Sequence, residues 1–278
     1  SYRGYSIEEL AQKSTFEETS YLLLFGELPN SAQLKEFTSK VTQYRDLPEE
    51  LVSILKALPK HTRPMDVLQM AVSSLGTFYD LEVSPEKVKG KKYDEKYFLN
   101  TSAALIGALG SIVAAWHRIR NGDEPISSKP DCTYAENFLH ILGAEKITPL
   151  MTRIMDATLV LHGEHTINAS TFTAMVTSST LANASQVVAS AIGSLSGPLH
   201  GGANEKVIAM LQKIESKEEI RPWLDETLKA KNVVWGMGHR EYSVKDPRAN
   251  ILTDMVQELF EEREGGVTDI FEKAIELE

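Results

Sequence analysis

Three stretches in the second half of the chain place histidines beside glycine or asparagine, and together they could do carbonyl chemistry. The first is LHGEHTINAST from Leu161, with His162 and His165. The second is LSGPLHGGANE from Leu195, where His200 sits between Gly197-Pro198 and Gly201-Gly202. The third is GMGHREY from Gly236, with His239, followed by Asp246-Pro247-Arg248. A neutral imidazole donates a hydrogen bond to a carbonyl and can act as a general acid. Arginine meets a carboxylate with two parallel bonds. The set His165, His200, His239 and Arg248 therefore suits a small polyanion with a carbonyl group. For each residue taken alone, a capping or surface role stays open.

His200 has the most specific setting. The segment ANEKVIAMLQKI from Ala203 reads as an amphipathic helix, so His200 falls at or just before its N-terminus. Unpaired amides and the positive end of the dipole are expected there. Such surroundings disfavour an imidazolium. A neutral imidazole in this place can donate to a developing enolate, as the handful of enzymes that tune histidine this way do. The flanking glycines are expected to let a ligand approach the backbone.

Other chemistries fit less well. His162 and His165 are three apart, not the four of a zincin helix, and no cysteine pair supports a structural zinc, so no metal is expected. Gly236-Met237-Gly238 begins like a dinucleotide fingerprint, but Glu241 stands at its sixth position and no βαβ unit surrounds it. There is no P-loop and no nucleophile elbow. His61, His117 and His140 read as structural. Cys132, the one cysteine, lies in a connector-like stretch with no adjacent histidine. It permits no intramolecular disulfide, which suits a reducing compartment.

The elements that must position these residues read as helices. Of the 278 residues, 42% are hydrophobic and 24% charged, as in a globular protein with a real core. The formal net charge of −10 argues against nucleic acid or an anionic membrane as partner. The apolar run Ala103–Trp116 is too short to cross a bilayer, which takes about 20 residues, and reads as a buried helix. No signal peptide is visible.

Capping boxes are expected at Ser6/Glu9 and Thr15/Glu18, the second opening a helix that stops at Gly26. Further helices are expected from Ser31 to about Arg45, Pro48 to Leu58, Pro64 to Tyr79, Tyr93 to Arg120, Tyr134 to Leu142 and Pro149 to Leu161. Leu81–Lys92 reads as an exposed loop. Asn168–Leu195 reads as one long helical stretch, dense in Ala and Ser, either a buried central helix or one at a subunit interface. After His200, helices are expected at Ala203–Ile214, Arg221–Lys229, Pro247–Glu264 and Val267–Glu278, with Val233–His239 extended between them. No series of alternating strands is seen, so the fold class is all-α. The missing initiator Met and the absence of a C-cap at the last helix lead us to expect chain beyond both ends.

The three histidine stretches, with SYRGYSIEELA and HTRPMDVL earlier, resemble the citrate synthase family in order and approximate spacing, and the resemblance covers essentially the whole chain. It implies an all-α fold with a large helical domain, 1–200, and a smaller one, 201–278, that closes over the substrates. The implied reaction condenses acetyl-CoA with oxaloacetate and water to give citrate and CoA, the first step of the tricarboxylic acid cycle. By the motif match, His200 resembles the residue that holds the thioester carbonyl and stabilises the enol. His239 resembles the one that polarises the ketone of oxaloacetate and supplies its proton. His165, Asn168 and Arg248 match oxaloacetate-site residues, and Ser170 would orient His200. Leu199, Val233, Val234, Gly236 and Gly238 match CoA contacts.

The family's base is an aspartate in an aromatic-rich segment beyond Glu278, so Asp269 is not assigned that role. Thr166-Ile167 depart from the family's usual pair after the second histidine. Ser243 stands where some members have arginine, leaving Arg240 or Lys245 to meet the CoA phosphate. The resemblance also implies a homodimer or an oligomer of dimers and no cofactor beyond acetyl-CoA as substrate. The compartment implied is the cytoplasm of a prokaryote or the mitochondrial matrix of a eukaryote. The alternatives are 2-methylcitrate synthase, which uses propionyl-CoA, and a non-catalytic assembly protein of the same fold.

Overall fold

A small-residue face on one long helix explains how the first part of the chain packs. The computed structural model describes residues 1–83, 88–89, 92–237, 246–262 and 268–278. Among them are fourteen α-helices, which we number α1 to α14 in chain order. They fall into two compact units, Ser1–Ser194 and Leu195–Glu278. The expected division stood after His200; by contacts it stands after Ser194, so the whole His200 stretch belongs to the second unit.

In the first unit, α6 (Glu95–Asn121) is capped by Asp94, which accepts the Tyr97 N–H, and ends at Gly122 in the left-handed region. The expected start at Tyr93 is thus shifted to the capping aspartate. Ala103, Ala104, Gly107, Ala108 and Ser111 are buried along it. A Cβ on Gly107 would fall 2.5 Å from the Val41 carbonyl of α3 (Ser31–Gln43), and one on Gly110 would fall 2.7 Å from the Tyr134 hydroxyl of α7 (Tyr134–Leu142). Glycine is needed here for close approach, not for an unusual φ. On another side, Ile112, Trp116 and Ile119 pack with residues of α4 (Glu49–Ala57) and α5 (Pro64–Ser74), including Leu51, Leu55, Val67 and Val72. At 27 residues α6 is long enough to cross a bilayer, unlike the shorter apolar run read from sequence, yet over half of its most apolar window is buried against neighbouring helices.

Capping chemistry sets most boundaries. α2 (Phe16–Phe25) has the complete Thr15/Glu18 box and stops at Gly26, φ +92°. At α1 (Ile7–Lys13) the expected reciprocal bond is not made. Ser6 accepts the Glu8 and Glu9 amides, but the Glu9 carboxylate pairs with Lys13 at 2.9 Å. Pro48 precedes α4 as its N-cap, and α5 gives way to a 3-10 turn at Leu75–Thr77. The 81–92 region, expected as loop, contains a short antiparallel pairing of Val88–Lys89 (β1) with Lys92–Tyr93 (β2).

The largest correction concerns Asn168–Leu195. It is two helices, α9 (Ala169–Ser178) and α10 (Ala184–Leu195). Thr173, Thr177, Ser179 and Thr180 each turn a hydroxyl back onto a preceding carbonyl, an alternative to the helical ladder. Leu181 then adopts φ +59°, and the Asn183 side chain accepts the Ser185 N–H to start α10. α9 has no buried residue, so it is not a central helix of this chain.

α1 and α2 rest on α8 (Pro149–Leu161), and there Asp156 accepts the Phe16 N–H at 3.0 Å. Burial, with help from Glu17 and Glu18, raises the Asp156 pKa from 3.8 to about 6, against the pull of that amide. The folded state therefore holds a proton between those two values that the unfolded chain has lost. The stability it contributes is complete below 3.8 and is lost as pH rises through about 6. Asp156→Asn keeps an oxygen for the amide. Thermal melts are expected to show it stabilised above about pH 7, by on the order of 1–3 kcal/mol, with no advantage below about pH 4. An equal shift at both pH values would contradict this origin.

In the second unit, α11 (Ala203–Leu211), α12 (Ile220–Lys229) and α14 (Asp269–Leu277) pack around Met210, Leu211, Ile214 and Ile220. α13 (Pro247–Glu262) adds Met255, and its Phe260 lies against Phe271 of α14. α13 and α14 are described as far as Glu262 and from Asp269, within the spans expected for them.

Candidate active site

The His165 loop joins α8 to α9. His162 caps α8, its ring Nδ1–H donating to the Thr158 carbonyl at 2.7 Å, so it is tied to the helix end. His165 is half-buried. Thr166 follows at φ +54°, an outlier for a β-branched residue, with its N–H donating to the Glu164 carboxylate. Asn168, expected to line the site, spends its side-chain oxygen on the Thr171 N–H at 2.9 Å as N-cap of α9. Ser170 stands half-buried in the first turn of α9.

The His200 stretch is a compact chain of turns. The His200 N–H donates to Gly197 O, the Gly202 N–H is shared by Leu195 O and Gly197 O, and the Ala203 and Asn204 amides donate to His200 O and Gly201 O. The amides expected to be unpaired before α11 are thus largely used within the turns. A Cβ on Gly202 would lie 2.6 Å from Ser196 O, and one on Gly201 would lie 2.5 Å from Leu195 Cδ1. The two glycines are required because the turns fold tightly on themselves, a reason the sequence reading did not give. His200 is half-buried, whereas the neighbouring Leu199 side chain is 85% exposed.

Within the segment expected to be extended, Val234–Met237 forms a turn. The Met237 N–H donates to Val234 O, and Gly236 has φ +92°. Val233 is exposed and Val234 half-buried. A Cβ on Gly236 would be 3.2 Å from Val207 of α11, so this turn lies beside the helix that follows His200. Gly238 and His239 lie outside the described residues, as do Arg240, Ser243 and Lys245.

Arg248 opens α13 and is held by Asp246. Its Nε lies 3.0 and 3.1 Å from the two carboxylate oxygens, and Nη2 lies 2.6 Å from Oδ2. Asp246 also accepts the Arg248 amide at 3.0 Å. Sequence reasoning missed this aspartate as a partner, although Asp followed by Pro in a first helical turn is a readable start signal. The Asp246 carboxylate thus takes the Nε–Nη2 edge of the guanidinium in a charge-assisted, bidentate pair.

Three further observations bear on rival chemistries. Burial and a hydrogen bond to Glu136 push the Cys132 thiol up, away from a reactive thiolate. An open groove of about 690 Å³ beside α3 is lined by Ser31, Lys35, Thr38 and their neighbours and by none of the expected site residues. Among the described residues, no group of three His, Cys, Asp or Glu side chains is placed to hold a metal ion.

Comparison with known proteins decides the family. The family model for the citrate synthase C-terminal domain matches residues 1–278. The chain belongs to the citrate synthase family. It is 43% identical over 277 residues to a citrate synthase of Synechocystis, spanning 100% of this chain and 67% of that protein. It is 37% identical over 259 residues to a 2-methylcitrate synthase of Shewanella oneidensis, spanning 93% of this chain and 66% of that one. Among solved structures, it superposes with a TM-score of 0.87 on the citrate synthase of Thermoplasma acidophilum, a ternary complex with carboxymethyl coenzyme A and oxaloacetate. That match has 28% identity and covers 99% of this chain and 70% of the other. The all-α fold read from the sequence is that of these citrate synthases, and membership makes the chain an acyl-transferring enzyme.

Proposed function

We propose that this chain condenses acetyl-CoA with oxaloacetate and water to give citrate and CoA, using the three histidine stretches as its site. The observation that carries this is the match to the citrate synthase family over the whole chain, with all three stretches inside it. In this reading His200 donates to the thioester carbonyl as it becomes an enolate, while His239 polarises the ketone and delivers a proton to it. A preorganised donor at the developing oxyanion is usually the largest electrostatic contribution to such a step. His165 and Arg248 bind oxaloacetate, Asn168 holds the His165 loop through its cap, and Ser170 orients His200. Leu199, Val233, Val234, Gly236 and Gly238 meet CoA. Asp269 is not given the role of base in this reading; its carboxylate accepts from Lys273 at 2.5 Å. Closure of the smaller domain on oxaloacetate would exclude water before the enolate forms.

The test is thiol release from acetyl-CoA and from propionyl-CoA, each with and without oxaloacetate. Release from acetyl-CoA that requires oxaloacetate is expected. No oxaloacetate-dependent release from either thioester would overturn the reading. A faster rate with propionyl-CoA would favour the 2-methylcitrate synthase alternative, the reading that likeness to the Shewanella protein supports.

The same proposal includes a homodimer, no cofactor besides the thioester substrate, and a compartment in which the lone Cys132 stays reduced: the cytoplasm in a prokaryote, the mitochondrial matrix in a eukaryote. α9 supports the dimer. Phe172, Met175 and Val176 are 61%, 53% and 53% exposed on it. An apolar patch of that kind on a helix of small residues suits a second copy. Phe172→Asp is expected to shift the mass in light scattering from dimer to monomer. A monomeric parent protein would contradict the proposal.

A further inference from the structure

The loop that carries His165 is gripped by a tyrosine far away in the chain. Tyr2 is buried, and its hydroxyl donates to the Leu161 carbonyl at 3.0 Å and accepts the Glu164 N–H at 3.3 Å. One oxygen thus ties the last carbonyl of α8 to the residue before His165. On the other side of His165, the Thr166 N–H donates to the Glu164 carboxylate. Glu164 therefore donates to Tyr2 through its backbone and accepts the Thr166 N–H through its side chain. Thr166 keeps a left-handed φ of +54° in this arrangement. Strain of this kind persists only where the surroundings over-determine it.

Tyr2 is itself well anchored. Tyr2 and Tyr5 exchange both backbone hydrogen bonds at 2.9 Å across Arg3 and Gly4, whose φ values are +51° and +93°. Positive φ at both central residues is the tight hairpin turn. Arg3 adds a bond from Nη2 to the Leu23 carbonyl of α2 at 3.1 Å. The Tyr2 ring is buried with Leu10, Leu22 and Val160, one from each of α1, α2 and α8. The hydroxyl is thereby held by a packed three-helix junction and reaches out to the substrate loop.

We propose that Tyr2 is a positioning residue for His165: its hydroxyl sets the loop geometry in which His165 binds oxaloacetate. This rests on the assignment of His165 to oxaloacetate. Tyr2→Phe keeps the ring in its apolar seat and removes the hydroxyl that bonds Leu161 and Glu164. Kinetics on the full chain, with a thermal melt alongside, test it. Tyr2→Phe is expected to raise KM for oxaloacetate by about 5- to 30-fold, the effect of one to two buried hydrogen bonds. KM for acetyl-CoA and kcat should stay near the parent values. A merely structural role would instead lower the melting temperature and leave both KM values alone.

His165→Ala and the double variant complete the set. If His165→Ala raises KM for oxaloacetate and Tyr2→Phe adds nothing to it, the two act as one unit and the proposal holds. If His165→Ala raises KM and Tyr2→Phe does not, the positioning role is wrong and the oxaloacetate assignment stands. If His165→Ala leaves KM unchanged, the assignment fails and the role of Tyr2 with it. Should Tyr2→Phe not fold, Glu164→Ala decides. That residue is exposed and supplies the Thr166 acceptor. It must raise KM for oxaloacetate in the same selective way, and an unchanged KM would overturn the proposal.

Discussion

His200→Ala is expected to lower kcat by about 100- to 1,000-fold, the range for removing one donor from a preorganised oxyanion site, while KM for oxaloacetate changes little. The methyl group of a thioester is a weak acid, and its enolate forms only where a fixed donor meets the oxygen as charge develops. In the proposed mechanism His200 is that donor, held in the turns before α11. Backbone bonds from the His200, Gly202, Ala203 and Asn204 amides, with two glycines that have no room for a Cβ, fix the main chain on both sides of His200. Arg248→Ala is expected to do the reverse. A lost charge-assisted bidentate contact is about 1.5–3 kcal/mol, or about 10- to 150-fold in oxaloacetate affinity. It would appear as raised KM and weaker binding in calorimetry, with the Asp246 carboxylate left without its fork. Abolished oxaloacetate binding in His200→Ala, or intact binding in Arg248→Ala, would reverse the two roles.

Glu17→Ala is expected to destabilise the first unit by about 3–5 kcal/mol, as when one member of a buried ion pair is removed. Glu17 and Arg45 have side chains 6% and 1% exposed and stand 3.7 Å apart. Glu17 accepts the Tyr134 N–H at 2.7 Å, and Arg45 donates to the Cys132 carbonyl at 2.9 Å while lying 5.6 Å from the Tyr134 ring centroid. The pair thereby fixes the start of α7 against α2. Removing Glu17 leaves the guanidinium buried without its counter-ion and the first amide of α7 without its acceptor. Replacing both partners together, as Glu17→Leu with Arg45→Met, removes the uncompensated charge and should recover much of the loss. Urea denaturation monitored by circular dichroism reads both variants. Single and double variants equal in stability to the parent would show that the pair is not what holds this junction.

How far the sequence carries depends on whether the deciding interaction is local. α2, α7 and α8 were readable because their signals lie within the helix itself: the Thr15/Glu18 box, Gly143 after α7, and Thr148-Pro149 at the start of α8. The break between α9 and α10 was not readable in the same way. It rests on hydroxyls that bond backwards and on a leucine with positive φ, where glycine would have announced the turn. The histidine stretches were legible as chemistry from residue type and spacing. What holds them was less so. Asp246 is two residues from Arg248 and could have been found, whereas Tyr2 meets Leu161 across 159 residues of chain and only the fold brings them together. The glycines beside His200 invited a ligand-approach argument, but the structure supplies a packing reason instead.

The proposed reaction makes a carbon–carbon bond between the acetyl methyl and the ketone of oxaloacetate. Incubating the protein with methyl-¹³C acetyl-CoA and oxaloacetate, and following the label by NMR, tests this most directly. Label is expected in a methylene of citrate, formed only when oxaloacetate is present and nearly lost in His200→Ala. Label appearing as free acetate with no citrate would mean that the thioester is hydrolysed without condensation, and would overturn the proposed reaction.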